Sequence, residues 1–287
     1  MTKGAGSAMS LSNEVKGIEM DIRCKKVGFI GFGSMAGAVC DGLLAGKVVD
    51  PANIYACARD MDRLRAKCES RGINACSGAD DTAAASDIVV IGVLPHQVEA
   101  VVKNAAESLR GKPILSIAAG IDYARYVSYL GEGFNHISTV PNTPIAVGEG
   151  IIVAEATHSL TEDQLALFEG IFGQIAKIEY FSTELLSLGG TGAGCAPAFV
   201  DVFIEAMADG LVKNGMNRAQ AYSIVPQMIM GTASYFMKSG RHPGELKDAI
   251  CSPGGTTIAG ISALEETGFR HSLIYAIDKI MDRKHSS

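Results

Sequence analysis

Two glycine-rich runs contain the residue types and spacings of this chain that are best suited to chemistry. The first is Gly31-Phe32-Gly33-Ser34-Met35-Ala36, and the second is Ser252-Pro253-Gly254-Gly255-Thr256-Thr257. Both lead from glycines into a helix-compatible stretch, where backbone amides can face an anion without obstruction by side chains. The first run is typical of a dinucleotide site and the second of a small-anion site. Together they predict an enzyme with a cofactor site near one end of the chain and a substrate pocket near the other.

The first run has the spacing Gly31-x-Gly33-x-x-Ala36 and lies between a predicted strand and a predicted helix. A dinucleotide fingerprint requires this context. The first glycine permits a tight turn, the second lets the backbone approach a pyrophosphate, and the small third residue lets the helix pack on the strand. We therefore expect residues 31–36 to bind the pyrophosphate, with Phe32, Ser34 and Met35 among the contacts.

The type of dinucleotide is expected to be read where the second predicted strand ends, at Ala58-Arg59. An NAD-binding protein usually places an acidic residue there for the ribose 2′-hydroxyl. Here Asp60 follows one residue later, where we expect it to open the next helix. The planar guanidinium of Arg59 could pair with a 2′-phosphate, and a solvated surface arginine is the alternative. The sequence favours NADPH as the cofactor, with NADH possible.

Two more segments should reach the cofactor because they follow predicted parallel strands. These are Val93-Leu94-Pro95, after the fourth strand, and Ala118-Ala119-Gly120, after the next one. Ligands of open α/β sheets bind at the carboxyl ends of the strands. His96 has no charged partner nearby in the sequence, so we expect a structural role for it and no role in acid catalysis.

The first part of the chain alternates short apolar runs with amphipathic stretches, which predicts a parallel sheet covered on both faces. The predicted strands are 26–30, 54–58, 87–93, 113–117, 136–140, 150–154 and 175–181. The predicted helices between them include 34–45, 61–70 and 97–109.

The pattern changes near residue 182, beyond which we predict helices alone. They are expected at 197–214, 218–239, 243–250, 256–267 and 269–283. The first two are apolar on most faces, and such a helix must be buried in a core or against a partner. About 100 residues make a small core, so a homodimer that exchanges these helices is expected, possibly within a higher homo-oligomer.

The expected fold is therefore α/β, with an N-terminal Rossmann-type parallel-sheet domain and an all-helical C-terminal domain for dimerisation and substrate binding. We place the dinucleotide-binding domain at 25–182 and the helical domain at 183–287. Residues 1–24 are interpreted as a tag or disordered leader, because they are rich in small and polar residues and have no apolar core of a signal peptide.

Composition excludes several classes of function. The net charge is −6 without a basic cluster, which argues against nucleic-acid binding. No apolar run approaches the roughly 18 residues of a membrane span. The seven cysteines are scattered without CxxC spacing, and the six histidines form no metal-binding pair. We expect reduced thiols, no metal site and a cytoplasmic protein.

Several motifs together carry a family resemblance. They are residues 28–36, Ser116-Ile117-Ala118-Ala119-Gly120, Pro141-Asn142-Thr143-Pro144, His242-Pro243-Gly244-Glu245-Leu246-Lys247-Asp248 and Ser252-Pro253-Gly254-Gly255-Thr256-Thr257-Ile258-Ala259-Gly260. From about Lys26 to Arg283 the chain resembles the pyrroline-5-carboxylate reductases of proline biosynthesis, within the 6-phosphogluconate-dehydrogenase-like superfamily. The chain departs from the family at Leu94, where a lysine is usual, and at Ser138 and Val140, where an arginine and a methionine are usual.

The resemblance implies hydride transfer from NAD(P)H to the imine carbon of L-1-pyrroline-5-carboxylate, giving L-proline. It also implies that Ser252, Gly254, Gly255, Thr256 and Thr257 bind the cyclic imino acid, and that the hydroxyl of Thr257 takes part in catalysis at the ring nitrogen. From spacing alone, the run could equally be a helix stop and restart with a threonine cap. A reductase of another cyclic imino acid and an inactive nucleotide-binding regulator remain alternatives.

Overall fold

A computed structural model of the chain describes residues 22–285. Residues 1–21 of the predicted leader, 1–24, therefore lie outside the described part of the chain. The last three residues of the leader, Ile22–Cys24, form a 3-10 turn, and the side chain of Ile22 packs against the main hydrophobic core.

Within residues 22–285, eight strands form one sheet in the order β3-β2-β1-β4-β5-β6-β7-β8. The strands are β1 (Val27–Ile30), β2 (Ile54–Cys57), β3 (Asn74–Ala75), β4 (Ile88–Ile91), β5 (Pro113–Ser116), β6 (Asn135–Pro141), β7 (Gly150–Glu155) and β8 (Ala176–Phe181). Neighbouring strands run parallel except β6 and β7, which are antiparallel. A short 3-10 segment, Thr143–Val147, joins that pair, and only antiparallel strands accept so short a connection.

In the described part of the chain, the helices that accompany the sheet are α1 (Ser34–Ala45), α2 (Met61–Glu69), α3 (Ala79–Ala84), α4 (Pro95–Asn104), α5 (Ala106–Leu109), α6 (Tyr123–Leu130) and α7 (Glu162–Phe172). The helical part contains α8 (Thr183–Gly190), a π-helix at Thr191–Cys195, α9 (Pro197–Lys213), α10 (Arg218–Ser239), α11 (Pro243–Ile250), α12 (Thr256–Glu266) and α13 (Phe269–His285). Among the described residues, no helix is long and apolar enough to cross a membrane.

The predicted fold class is confirmed, including the exact bounds of α1, α10 and α11. The sequence did not predict β3, α3, α6 or α8. The single helix expected at 97–109 is two helices, because the backbone of Ala105 leaves the helical region with φ −98° and ψ 12°. The first of them begins at Pro95, two residues earlier than expected, because proline is well suited to the first helical position.

The central strands are buried on both faces, as a sheet between two helical layers requires. Every residue of β1, β4 and β5 is buried. Consecutive residues of β1 belong to different cores, with Phe29 on one side of the sheet and Ile30 on the other. The sheet is therefore a rigid platform whose strand ends hold the loops that follow them.

The helical part differs sharply from this platform. Among the described residues after 196, only Ala208, Ala221 and Val225 are buried hydrophobics. Many large apolar side chains are instead exposed, including Val202, Met230, Tyr235, Met237, Ile250, Ile274 and Tyr275. An apolar surface of this extent indicates contact with another protein surface.

Candidate active site

The glycine-rich turn after β1 is built so that only glycine fits its first position. Gly31 has φ +90°, and its amide donates to the carbonyl oxygen of Cys57 at 2.9 Å. A methyl group on Gly31 would lie 2.6 Å from Val93 Cγ1 and 2.8 Å from the carbonyl of Gly92. The positive φ of Gly31 permits the tight turn that the fingerprint predicts, and the turn is pressed against the chain that leaves β4.

The start of α1 has the properties of an anion site. Gly33 is the N-cap, is exposed and has no side-chain capping bond. Its missing Cβ would meet nothing within 4 Å, so a ligand can approach the backbone there. The first amides of a helix have no partner inside it. Ser34 is exposed and Ala36 is buried against the sheet, so the residues present fit a pyrophosphate.

The other predicted cofactor segments lie at the same edge of the sheet, because β2, β1, β4 and β5 are parallel neighbours. Leu94 is 57% exposed, and Pro95 beside it begins α4. Beyond β5, Ala118 is buried, whereas Ala119 and Gly120 are exposed. The structure therefore brings the four predicted cofactor segments to one edge.

Arg59 is exposed directly after β2 and lies beside the N-terminus of α4. With its amide oxygen turned toward the guanidinium, Gln97 accepts from Arg59 Nη1 at 3.2 Å and from Nη2 at 3.0 Å. Asp60 accepts from the amide of Arg63 at 3.0 Å, which confirms that it caps α2. Asp60 is therefore used in capping, whereas the Arg59 guanidinium lies within hydrogen-bond distance of Gln97 in the first turn of α4. The sequence pattern contained no signal for Gln97.

The second glycine-rich run forms a tight turn before α12. The amide of Gly255 donates to the carbonyl of Ser252 at 3.0 Å, with Pro253 in the second position and Gly254 at φ +68° in the third. This is the pattern of a type II turn. A methyl group on Gly255 would lie 2.4 Å from the Ser252 hydroxyl, so that side chain would have to rotate to admit it.

The turn changes which amides an anion could use. Because the amide of Gly255 already donates within the turn, the amides open to a ligand include those of Thr256 and Thr257, the first two residues of α12. Gly255 is the N-cap and provides no side-chain capping bond. The prediction that a threonine caps the restarted helix is therefore wrong, because Gly255 is the N-cap. The first amides of α12 remain open to a ligand.

Thr257 lies on a groove of about 910 Å³ between α10, α11 and α12. Its polar lining includes Gln227, Lys247 and Cys251, and its remaining walls are mostly apolar side chains such as Phe203, Met228 and Tyr235. The groove-lining residues include none from the glycine-rich turn or from the other predicted cofactor segments. The predicted substrate residue Thr257 and the predicted cofactor segments therefore do not share this groove.

Two buried titratable groups on β6 and β7 were not predicted. Glu155 is fully buried and accepts from the amide of Tyr123 at 2.7 Å and from Thr183 Oγ1 at 2.6 Å. Burial raises the pKa of this carboxyl. It joins the first residues of α6 and α8, a contact that only the strand register brings about. The second group, His136, is buried in β6 and stacks on the rings of Tyr123 and Tyr126.

The cysteines nearest the cofactor edge are packing residues. Burial raises the pKa of the Cys57 thiol, and raises that of Cys40 to about 12. A thiol with a raised pKa is a poor nucleophile at neutral pH.

Two family models match the chain. One, described as NADP oxidoreductase coenzyme F420-dependent, matches residues 26–120, and the other, described as pyrroline-5-carboxylate reductase dimerisation, matches residues 184–287. The first covers the glycine-rich turn and the second covers the groove with Thr257.

Full-length relatives agree with these matches. A pyrroline-5-carboxylate reductase of Treponema pallidum is 40% identical over 88% of this chain and 97% of its own length. The Escherichia coli protein of the same name is 37% identical over 90% of this chain and 97% of its own length. A crystal structure of Plasmodium falciparum pyrroline carboxylate reductase with NADP bound superimposes with a TM-score of 0.83 at 27% identity, covering 91% of this chain and 97% of that one. The chain belongs to the pyrroline-5-carboxylate reductase family.

Proposed function

We propose that this chain is an NAD(P)H-dependent oxidoreductase that reduces L-1-pyrroline-5-carboxylate to L-proline, the last step of proline biosynthesis. The observation that carries the proposal is the open start of α12, where Thr257 borders a groove of about 910 Å³. Relatives that carry the reductase name match the chain over nearly their whole length, which supports the assignment.

The edge formed by β2, β1, β4 and β5 is the proposed cofactor site. When bound there, NADPH supplies the hydride. The amides at the start of α1 hold the pyrophosphate, and Arg59 holds the 2′-phosphate. The segments at Val93-Leu94-Pro95 and Ala118-Ala119-Gly120 complete the walls. The NADP-bound relative supports NADPH as the preferred dinucleotide.

The loop Ser252–Thr257 is the proposed substrate site. The amides of Thr256 and Thr257 hold the ring carboxylate at the positive end of the α12 dipole. The hydroxyl of Thr257 donates to the ring nitrogen and helps to deliver a proton there as the amine forms. Positioning of the imine next to the nicotinamide is the main demand of such a reaction, and it needs no nucleophilic side chain.

A homodimer through α9–α13 is the proposed assembly, within which the groove and the cofactor edge become complete. A second copy would cover the exposed apolar side chains, for example Met230 on α10 and Ile274 on α13. The match of residues 184–287 to a dimerisation model supports this proposal.

A cofactor-oxidation assay tests the function directly. Purified protein should oxidise NADPH when L-1-pyrroline-5-carboxylate is added, and should form proline in equal amount. The absence of turnover with both NADPH and NADH would reject the proposal. Faster turnover of a six-membered cyclic imino acid than of the five-membered one would show that the reaction is imine reduction but that the preferred substrate is the larger ring.

A further inference from the structure

Lys67 contacts the glycine-rich turn from outside the predicted cofactor site. It lies in α2, and its ammonium donates to the carbonyl oxygen of Phe32 at 3.1 Å. The same ammonium lies 5.8 Å from the centre of the Phe32 ring. Phe32 is the residue between the two glycines of the fingerprint, so Lys67 acts on the part of the turn that a pyrophosphate would approach.

Phe32 and Lys67 belong to a wider clamp between α1 and α2. The guanidinium of Arg71 binds both carboxylate oxygens of Asp41, with Nε at 2.7 Å and Nη2 at 3.0 Å. It also donates to the carbonyl of Lys67 at 3.2 Å and lies 5.8 Å from the Phe32 ring. Phe29 packs edge-on against the same ring, with the centroids 5.7 Å apart. Phe32 is therefore held on several sides.

Because the peptide bond is planar, the Lys67 contact also fixes the direction of the Gly33 N–H. In a trans peptide the carbonyl of one residue and the N–H of the next point in opposite directions. A bond that fixes the Phe32 carbonyl toward α2 therefore fixes the Gly33 N–H away from α2. Gly33 is the exposed N-cap of α1, with open space where a side chain would be.

We propose that Lys67 is a positioning residue that orients the Phe32–Gly33 peptide, so that the Gly33 N–H faces the cofactor pyrophosphate. This inference rests on the proposed cofactor site. Because NADPH and NADH share the pyrophosphate, Lys67 should support the binding of both equally. A lysine that read the 2′-phosphate directly would instead favour NADPH alone.

The test is Lys67→Met, which keeps the aliphatic stem and removes the donor. The dissociation constants of NADPH and NADH, measured by fluorescence titration, should both rise by the same factor of roughly tenfold, since a hydrogen bond from a charged donor is lost. At saturating cofactor, kcat should stay within about twofold, because the turn has no direct part in the chemistry. Lys67→Arg should recover part of the binding.

Lys103→Met is the matched control, because Lys103 pairs with Glu99 on the exposed surface of α4. It should leave both dissociation constants unchanged, and thermal melting should show that all variants are folded. A rise for NADPH alone would overturn the inference in favour of a phosphate reader. Unchanged binding of both cofactors by Lys67→Met would overturn it in favour of a purely structural lysine. If the wild-type protein binds neither cofactor, the proposed function itself fails.

Discussion

The exposure and the hydrogen-bond partner of Arg59 suit it to bind a 2′-phosphate. Its guanidinium is exposed after β2, and the Gln97 amide oxygen can accept from two of its nitrogens. A guanidinium restrained in this way loses less side-chain entropy when a phosphate binds. The acidic residue that would read the 2′-hydroxyl of NADH is engaged elsewhere, because Asp60 caps α2.

Arg59→Ala should therefore raise the Michaelis constant for NADPH by roughly tenfold to a hundredfold, the loss of one or two charge-assisted hydrogen bonds. The constant for NADH should change little. Steady-state kinetics with both cofactors measure the difference, and Arg63→Ala, one turn into α2, is the control. Equal effects on the two cofactors would exclude Arg59 as the phosphate reader.

Thr257 is the second residue on which the proposed chemistry depends. Thr257→Ala removes the hydroxyl that would donate to the ring nitrogen, so kcat should fall by roughly a hundredfold, the usual scale of a lost proton donor. NADPH affinity should be unchanged, as a binding titration would show. Thr257→Ser should keep much of the activity.

Thr267, at the other end of α12, provides the control for Thr257. Its hydroxyl bonds to the carbonyls of Ala263 and Leu264, each at 3.1 Å, and it is not among the groove-lining residues. Thr267→Ala should leave kcat unaffected. Full turnover by Thr257→Ala would remove the hydroxyl from the mechanism.

At the scale of elements, local patterns in the sequence predicted most helix starts and strands. The bounds of α1, α10 and α11 follow from glycine and proline positions and from apolar periodicity. The contacts of Lys67, Gln97 and Glu155 could not be predicted in this way, because each joins residues brought together by strand order. The run at 252–257 predicted a helix stop and restart, but spacing alone does not say that the Gly255 amide is used within the turn.

The packing of α6 on β6 contains a pH-sensitive group. His136 is stacked 4.9 Å from Tyr123 and 4.5 Å from Tyr126, and its Nε2 has no hydrogen-bond partner within the described part of the chain. The pKa of His136 is lowered from 6.5 to about 4, chiefly by burial and also by nearby His158, while Asp122 opposes the shift.

Acid conditions destabilise the folded protein through His136. As the pH falls below 6.5, the unfolded chain binds a proton at His136 before the folded protein does, so stability is lost between pH 6.5 and pH 4. The full loss is about 3 kcal/mol, at 1.36 kcal/mol for each pKa unit. His136→Phe keeps an aromatic ring and should flatten this part of the stability profile.

Denaturant unfolding at a series of pH values measures the effect. His96→Phe is the control, since His96 is exposed on α4 and its replacement should leave the wild-type profile in place. A His136→Phe profile as steep as that of the wild type would show that the acid sensitivity arises elsewhere.

At the scale of the whole molecule, the two parts differ in what they need in order to be stable. The sheet has two complete cores, whereas α9–α13 leave apolar side chains exposed over most of their length. The sequence predicted this difference, because helices that are apolar on most faces cannot be covered by about 100 residues of their own. It could not predict that the groove beside Thr257 would contain no cofactor-binding segment.

The proposed dimer can be tested on the two helices with the most exposed apolar residues. Met237 on α10 is 72% exposed and Ile274 on α13 is 61% exposed. Met237→Glu or Ile274→Glu would bury an unpaired carboxylate in the interface, which costs about 3 kcal/mol, or roughly a hundredfold in the dimer dissociation constant.

Val147→Glu is a matched control, since Val147 is 74% exposed but lies in the 3-10 segment after β6. Light scattering across a dilution series should show dissociation of the first two variants at concentrations where the wild type and the control remain associated. Turnover should fall in step with the dimer fraction, because none of the proposed cofactor segments lines the groove of the same chain. A fully active monomer would contradict the proposed assembly.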